Sequence, residues 1–156
     1  MRKLEPEKSP YTKGERRGAC VAHGSALLIG VPVAVLLLPV PLSFVPCPVV
    51  SYVIARSFRR KRLAWGAFQG MQATVMQSLI VLLATVVTMA DLPSRLALAI
   101  GTAGFLLFLY SLWAALDTGL GYDFRYFGIS NFLDRVSRVN LDRPERIRRW
   151  LGGKDR

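Results

Sequence analysis

The sequence predicts an all-α, polytopic integral membrane bundle of four hydrophobic segments with a basic amphipathic cytoplasmic tail. The chain has 156 residues, yet none of its 21 basic and 10 acidic side chains falls in 18–55, 63–90 or 96–116. One membrane crossing needs about 20 apolar residues. A soluble domain of this size cannot bury such long uncharged runs, which excludes an ordinary soluble enzyme and a disordered protein. Both cysteines lie inside the runs, which excludes a disulfide scaffold.

The first element is a basic N-terminal segment, residues 1–17, with six basic and three acidic residues. A cleavable signal peptide would have a short basic leader, only 7–15 apolar residues after it and a small-residue cleavage site. Here the leader has mixed charge and the apolar run is 38 residues long. We therefore expect no cleavage.

The distribution of charge predicts that the run 18–55 enters the membrane and returns. The turn after it carries five basic residues and no acid, whereas the link 91–95 is neutral. The five are Arg56, Arg59, Arg60, Lys61 and Arg62. Short cytoplasmic loops collect Lys and Arg. With two passes, both termini and the basic turn lie in the cytoplasm. The protein is accordingly predicted to be a multi-pass protein of the inner membrane.

Prolines predict where the run bends. Pro39, Pro41, Pro46 and Pro48 fall within ten residues, and each lacks a backbone donor. The first segment is therefore predicted at about 18–40, with a kink at Pro32, and the second at about 48–58. Because the second is too short to cross alone, two interpretations stay open: a re-entrant bend and a loose external loop.

The third segment, 63–90, carries a face of small and polar residues. On a helical wheel this face is formed by Gly66, Gln69, Gly70, Ala73 and Gln77, with Gln72 beside it. The two glycines allow close approach of another helix, and lipid cannot satisfy the glutamine amides. The face is thus predicted to meet other helices, through interhelical hydrogen bonds or as a polar groove for a substrate or peptide.

Other residues are predicted at interfaces or as boundaries. His23 is expected to be interfacial or to hydrogen-bond between helices, because neither cysteine completes a metal-ligand spacing. Trp65 and Trp113 are expected at the cytoplasmic interface. No catalytic triad, zinc motif or phosphate loop is present, so no enzymatic activity, metal or cofactor is expected.

The fourth segment, 96–116, is apolar on all sides, and the tail, 117–156, is predicted to be cytoplasmic. Its last part, around Trp150, has the pattern of a basic amphipathic helix, which is typical of binding to anionic lipid headgroups. The net charge of +11 is accounted for by cytoplasmic loops. No nucleic-acid partner is expected.

Four short motifs resemble a family of small bacterial membrane proteins related to the Tic-twenty component of the chloroplast inner-envelope protein-import machinery. They are Ala19–His23, Pro48–Arg56, the stretch Gln72–Ala73 with Gln77, and Gly121 through Ile129. Gln69 stands where the family has His, and Phe127 replaces a Pro. The resemblance implies a four-helix membrane domain with both ends cytoplasmic and no catalytic residue.

These observations predict a non-enzymatic structural or interaction component of the membrane. It would pack with a second copy or a partner membrane protein through the small and polar face of the third segment. The alternative is a transport or protein-translocation pore lined by Gln69, Gln72 and Gln77. An intramembrane enzyme using His23 has the least support.

Overall fold

A computed structural model describes residues 11–36, 38–40 and 42–135 of the chain. The helices are α1 (Lys13–Ser25), a π-helical turn (Ala26–Gly30), α2 (Val31–Leu36), a 3-10 turn (Leu42–Phe44), α3 (Pro46–Arg60), α4 (Ala64–Met89) and α5 (Ser94–Leu120). The described residues contain no strand. The predicted tail helix around Trp150 lies outside these residues.

Three stretches of helix are long and apolar enough to cross a membrane. They are Lys13–Leu36, Ala64–Met89 and Ser94–Leu120, found in a search of the described residues. The second predicted segment forms α3, which at 15 residues is shorter than the roughly 20 residues that a crossing requires. The protein is therefore all-helical in its described part, with three candidate membrane-spanning helices.

The first span begins with a capping box and changes pitch at its middle. The Thr12 hydroxyl accepts a hydrogen bond from the Glu15 amide, and the Glu15 carboxylate accepts one from the Thr12 amide. The π-helical turn Ala26–Gly30 lies just before Pro32. Since Pro32 has no amide hydrogen to give to a residue one turn earlier, a local change in hydrogen-bond register is its expected consequence.

The α3 helix is longer than the predicted segment 48–58. It begins at Pro46, with proline in the first turn where no amide donor is needed. It continues to Arg60, because Arg59 and Arg60 are good helix formers and complement the negative C-terminal end of the helix dipole. A tight turn through Arg62, whose φ is 59°, leads into α4.

The main helices pack around α4, which lies against α1, α3 and α5. At its end, α5 is closed by Gly121 in the left-handed region, with φ of 97°. The Gly121 amide donates to the carbonyls of Asp117 and Thr118. This closure redirects the chain, so that residues 121–124 return towards the start of α4.

Residues 125–135 belong to a second compact unit. Within it, Arg125 and Asp134 form an ion pair with a nitrogen–oxygen distance of 3.1 Å. Residues 129–135 are helical, and the Ser130 hydroxyl donates to the Tyr126 carbonyl at 2.8 Å.

Candidate functional site

The polar face of α4 lies inside the bundle. Gln69 and Gln72 are 0% exposed and Gln77 is 1% exposed. Gly66, Gly70 and Ala73, on the same face, are also buried. In this position each carboxamide needs a partner within the protein, because hydrocarbon offers none.

Gln69 is the centre of a hydrogen-bond network at the start of α4. Its side-chain nitrogen donates to the Asp123 carboxylate at 3.1 Å and to the Phe124 carbonyl at 2.9 Å. Gln72 donates to the same Phe124 carbonyl at 3.3 Å. Two glutamines on one helix thus hold the backbone that follows α5.

His23 of α1 completes this network from the other side. Its Nε2 lies 3.2 Å from Oε1 of Gln69, and the residue is 0% exposed. Because the Gln69 nitrogen already donates to Asp123 and Phe124, the Gln69 oxygen is the acceptor in this contact. The proton is therefore on Nε2 of His23, and the ring lies edge-on to Phe124.

A second group of contacts lies about two turns further along α4. The Gln77 nitrogen donates to the His23 carbonyl at 2.9 Å and to the Ser111 hydroxyl at 3.1 Å. Ser111 donates to the same His23 carbonyl at 2.7 Å. One backbone oxygen of α1 is thus shared by side chains of α4 and α5, which ties the three helices together at one depth.

A third polar cluster joins α1 to α3. The Ser51 hydroxyl donates to the Ala22 carbonyl at 2.8 Å and lies 3.3 Å from the Ser25 hydroxyl. The Cys47 thiol is 3.6 Å from the Ser25 carbonyl. Sequence reasoning missed this cluster. Its signal was a small polar residue on each of two adjacent apolar segments, Ser25 and Ser51.

The two glycines of the face allow α3 to approach α4 closely. A Cβ atom placed on Gly70 would lie 2.8 Å from the Cα of Ala55, and one on Gly66 would lie 2.9 Å from the ring of Phe58. We expected this face to meet a second copy or a partner protein. It is instead covered by helices of the same chain, because the short turn between α3 and α4 places these two helices side by side.

Two of the tryptophans and the five basic residues singled out from the sequence are exposed or partly buried. Trp65 is partly buried, stacks on Tyr11 with a centroid distance of 4.0 Å and donates to Asp123 at 3.1 Å. Trp113 is 62% exposed. The five basic residues Arg56, Arg59, Arg60, Lys61 and Arg62 are all exposed. Trp150 is outside the described residues.

The chemistry of the network is that of helix-to-helix attachment. Each glutamine nitrogen donates within the chain, and the recipients include the Phe124 and His23 carbonyls. Within the described ranges, no group of three or more His, Cys, Asp or Glu residues could hold a metal ion. Comparison with known proteins returns no match to a protein family, to a curated protein or to a solved structure.

Proposed function

We propose that the protein is a non-catalytic, multi-pass membrane component that binds another membrane helix through α5. The helix would come from a second copy or from a partner membrane protein. The polar network of α4 then serves to hold α1, α4 and α5 in a fixed arrangement behind this surface.

The observation that carries the proposal is how little of α5 is covered. In the most apolar 18-residue stretch of α5, only 6% is buried within the chain. The corresponding stretches of α4 and of the first span are 33% and 39% buried. An apolar groove of about 230 Å³ lies between the second half of α4 and the first half of α5, lined by Leu83, Gly101 and Phe105 among others. A Cβ atom on Gly101 would meet nothing within 4 Å. Small residues beside open space allow a second helix to approach closely.

A pore lined by the glutamines has less support. Such a pore would expose Gln69, Gln72 and Gln77 to water, whereas they are at most 1% exposed and their nitrogens donate within the chain. The resemblance to import-machinery proteins fits a membrane component that assembles with others, and it adds no residue with a catalytic role.

Photocrosslinking tests the proposed surface. Cys20 and Cys47 are first changed to Ala, so that a cysteine introduced by Gly101→Cys is the only thiol. A photocrosslinker is attached to this thiol in native membranes. We expect a crosslinked product, with twice the mass of the chain for a second copy and another mass for a different partner. Ala103→Cys is the matched control, since this exposed residue is two positions along, on the opposite side of the helix. Equal crosslinking from both sites, or none from Gly101→Cys, contradicts the proposal.

Reporter fusions test the membrane placement separately. With both termini in the cytoplasm, alkaline phosphatase fused after Pro93 is expected to be active, and fusions after Arg60 and Gly152 inactive. Activity at Arg60 would reverse the proposed orientation, because the basic turn would then face outward.

A further inference from the structure

A recess lies between the start of α1 and the end of α3. Its volume is about 340 Å³. The start of α1 and the cap before it provide Thr12, Gly14, Glu15 and Gly18. The end of α3 and the turn after it provide Ile54, Ser57, Phe58, Lys61 and Leu63. We infer that this recess binds the headgroup of an anionic phospholipid together with the first carbons of its acyl chains.

Charge around the recess favours an anion. Lys61 is part of its wall, and the neighbouring Arg59, Arg60 and Arg62 are exposed. On the α1 side, Lys13 and Arg17 precede Gly14 and Gly18 and are also exposed. Basic residues near a membrane surface attract acidic lipids at close range.

One acid faces the same space and must be weighed against these cations. The Glu15 carboxylate is buried, and it accepts hydrogen bonds from the Thr12 amide at 3.1 Å and the Thr12 hydroxyl at 3.0 Å. Both hydrogen bonds reach the same carboxylate oxygen, Oε2, and hold the side chain at the start of α1, where its negative charge offsets part of the positive charge around the recess. The positive N-terminal end of α1 and the negative C-terminal end of α3 oppose each other, so the side-chain charges decide the sign.

The shape and polarity of the recess fit a lipid better than a small soluble anion. Ile54, Phe58 and Leu63 give it apolar walls, and Ser57 and Lys61 give it polar ones. Gly18 allows the Phe58 ring to lie directly against α1. A phospholipid has the same combination, with a charged phosphate beside the first carbons of its acyl chains.

This inference rests on the membrane placement proposed above but not on the α5 surface. The assay uses the full-length chain, purified in detergent and stripped of lipid. Binding of dioleoyl phosphatidylglycerol is measured by native mass spectrometry and compared with dioleoyl phosphatidylcholine and with inorganic phosphate. We expect tighter binding of phosphatidylglycerol than of the other two. The inference is overturned if the two lipids bind equally tightly, or if inorganic phosphate binds as tightly as phosphatidylglycerol.

Three substitutions locate the binding. Lys61→Gln is expected to weaken phosphatidylglycerol binding roughly fivefold, as for one basic residue near an anionic surface. Arg95→Gln is the matched control: it removes one exposed charge at the far end of the bundle and should leave binding unchanged. Ser57→Trp fills the recess without changing the charge and should weaken binding more than Lys61→Gln does.

These outcomes distinguish lipid binding within the recess from non-specific electrostatic binding to the basic surface. If Lys61→Gln weakens binding while Ser57→Trp does not, the lipid binds the surface outside the recess and the inference is wrong. Thermal unfolding in detergent establishes that each variant is folded. If Ser57→Trp unfolds the protein, Ser57→Leu fills the recess with a smaller side chain. Failure of the α5 crosslinking would leave this result unaffected.

Discussion

Replacing Gly70 with Ala tests whether the contact between α3 and α4 sets the stability of the bundle. The added Cβ would lie 2.8 Å from both Cα and Cβ of Ala55 and 2.9 Å from its amide nitrogen. Two of these atoms belong to the backbone, so no side-chain rotation relieves the contact and the two helices must separate. Overpacking of this kind costs about 1–3 kcal/mol.

The same change at Gly101 provides the control. Both residues are within helices, so the gain of about 1 kcal/mol in helix propensity from Gly to Ala is common to the two variants. Within a single chain, as in the monomer in detergent, the new methyl group at Gly101 meets nothing within 4 Å. The difference in unfolding free energy between Gly70→Ala and Gly101→Ala thus isolates the packing cost, which we expect to be about 1–3 kcal/mol.

Reversible unfolding in mixed detergent micelles, followed by circular dichroism, measures this difference. Gly70→Ala should unfold at lower denaturing-detergent content than the unmodified chain, and Gly101→Ala at equal or higher content. If the two variants unfold together, α3 and α4 do not approach each other as described, and the reasoning about the small residues of α4 fails.

Three other predictions concern the polar contacts and one further glycine. Gln69→Leu removes three hydrogen bonds and should cost about 1–3 kcal/mol, with faster amide hydrogen exchange around Phe124; unchanged exchange would contradict the role of Gln69. Ser51→Ala should cost about 0.6 kcal/mol, while Ser78→Ala, which removes an exposed hydroxyl bonded within its own helix, should be neutral in the same unfolding assay. Gly24→Ala should be tolerated, since its Cβ would meet Ala115 at an ordinary 3.6 Å, and a loss comparable to that of Gly70→Ala would show tighter packing of α1 on α5.

The helical class and the inward face of α4 could be predicted from the sequence because both depend on local pattern. Charge-free runs reveal the apolar helices, and the spacing of Gln69, Gly70 and Gln77 places them on one side of a helix. The predicted start of α3, Pro48, is two residues later than the observed start at Pro46, because proline is equally compatible with a preceding loop and with a first helical turn.

The backbone partners of the glutamines could not be predicted. Gln69 and Gln72 bond the carbonyl of Phe124, and Gln77 bonds that of His23. Every residue has a backbone carbonyl, so such a partner leaves no trace in the choice of amino acid. The π-helical turn before Pro32 is similarly hidden, since proline interrupts the regular bonding without specifying how the helix adapts.

The hydrogen bond between Gln72 and the Phe124 carbonyl also has a consequence for biosynthesis. Its acceptor, the Phe124 carbonyl, is 52 residues later in the chain, so at about 5–20 residues per second the ribosome supplies it roughly 3–10 s afterwards. During that interval the nascent α4 holds a carboxamide without its final acceptor. Release of α4 into hydrocarbon before α5 emerges would be costly, which favours insertion of the two helices as a pair.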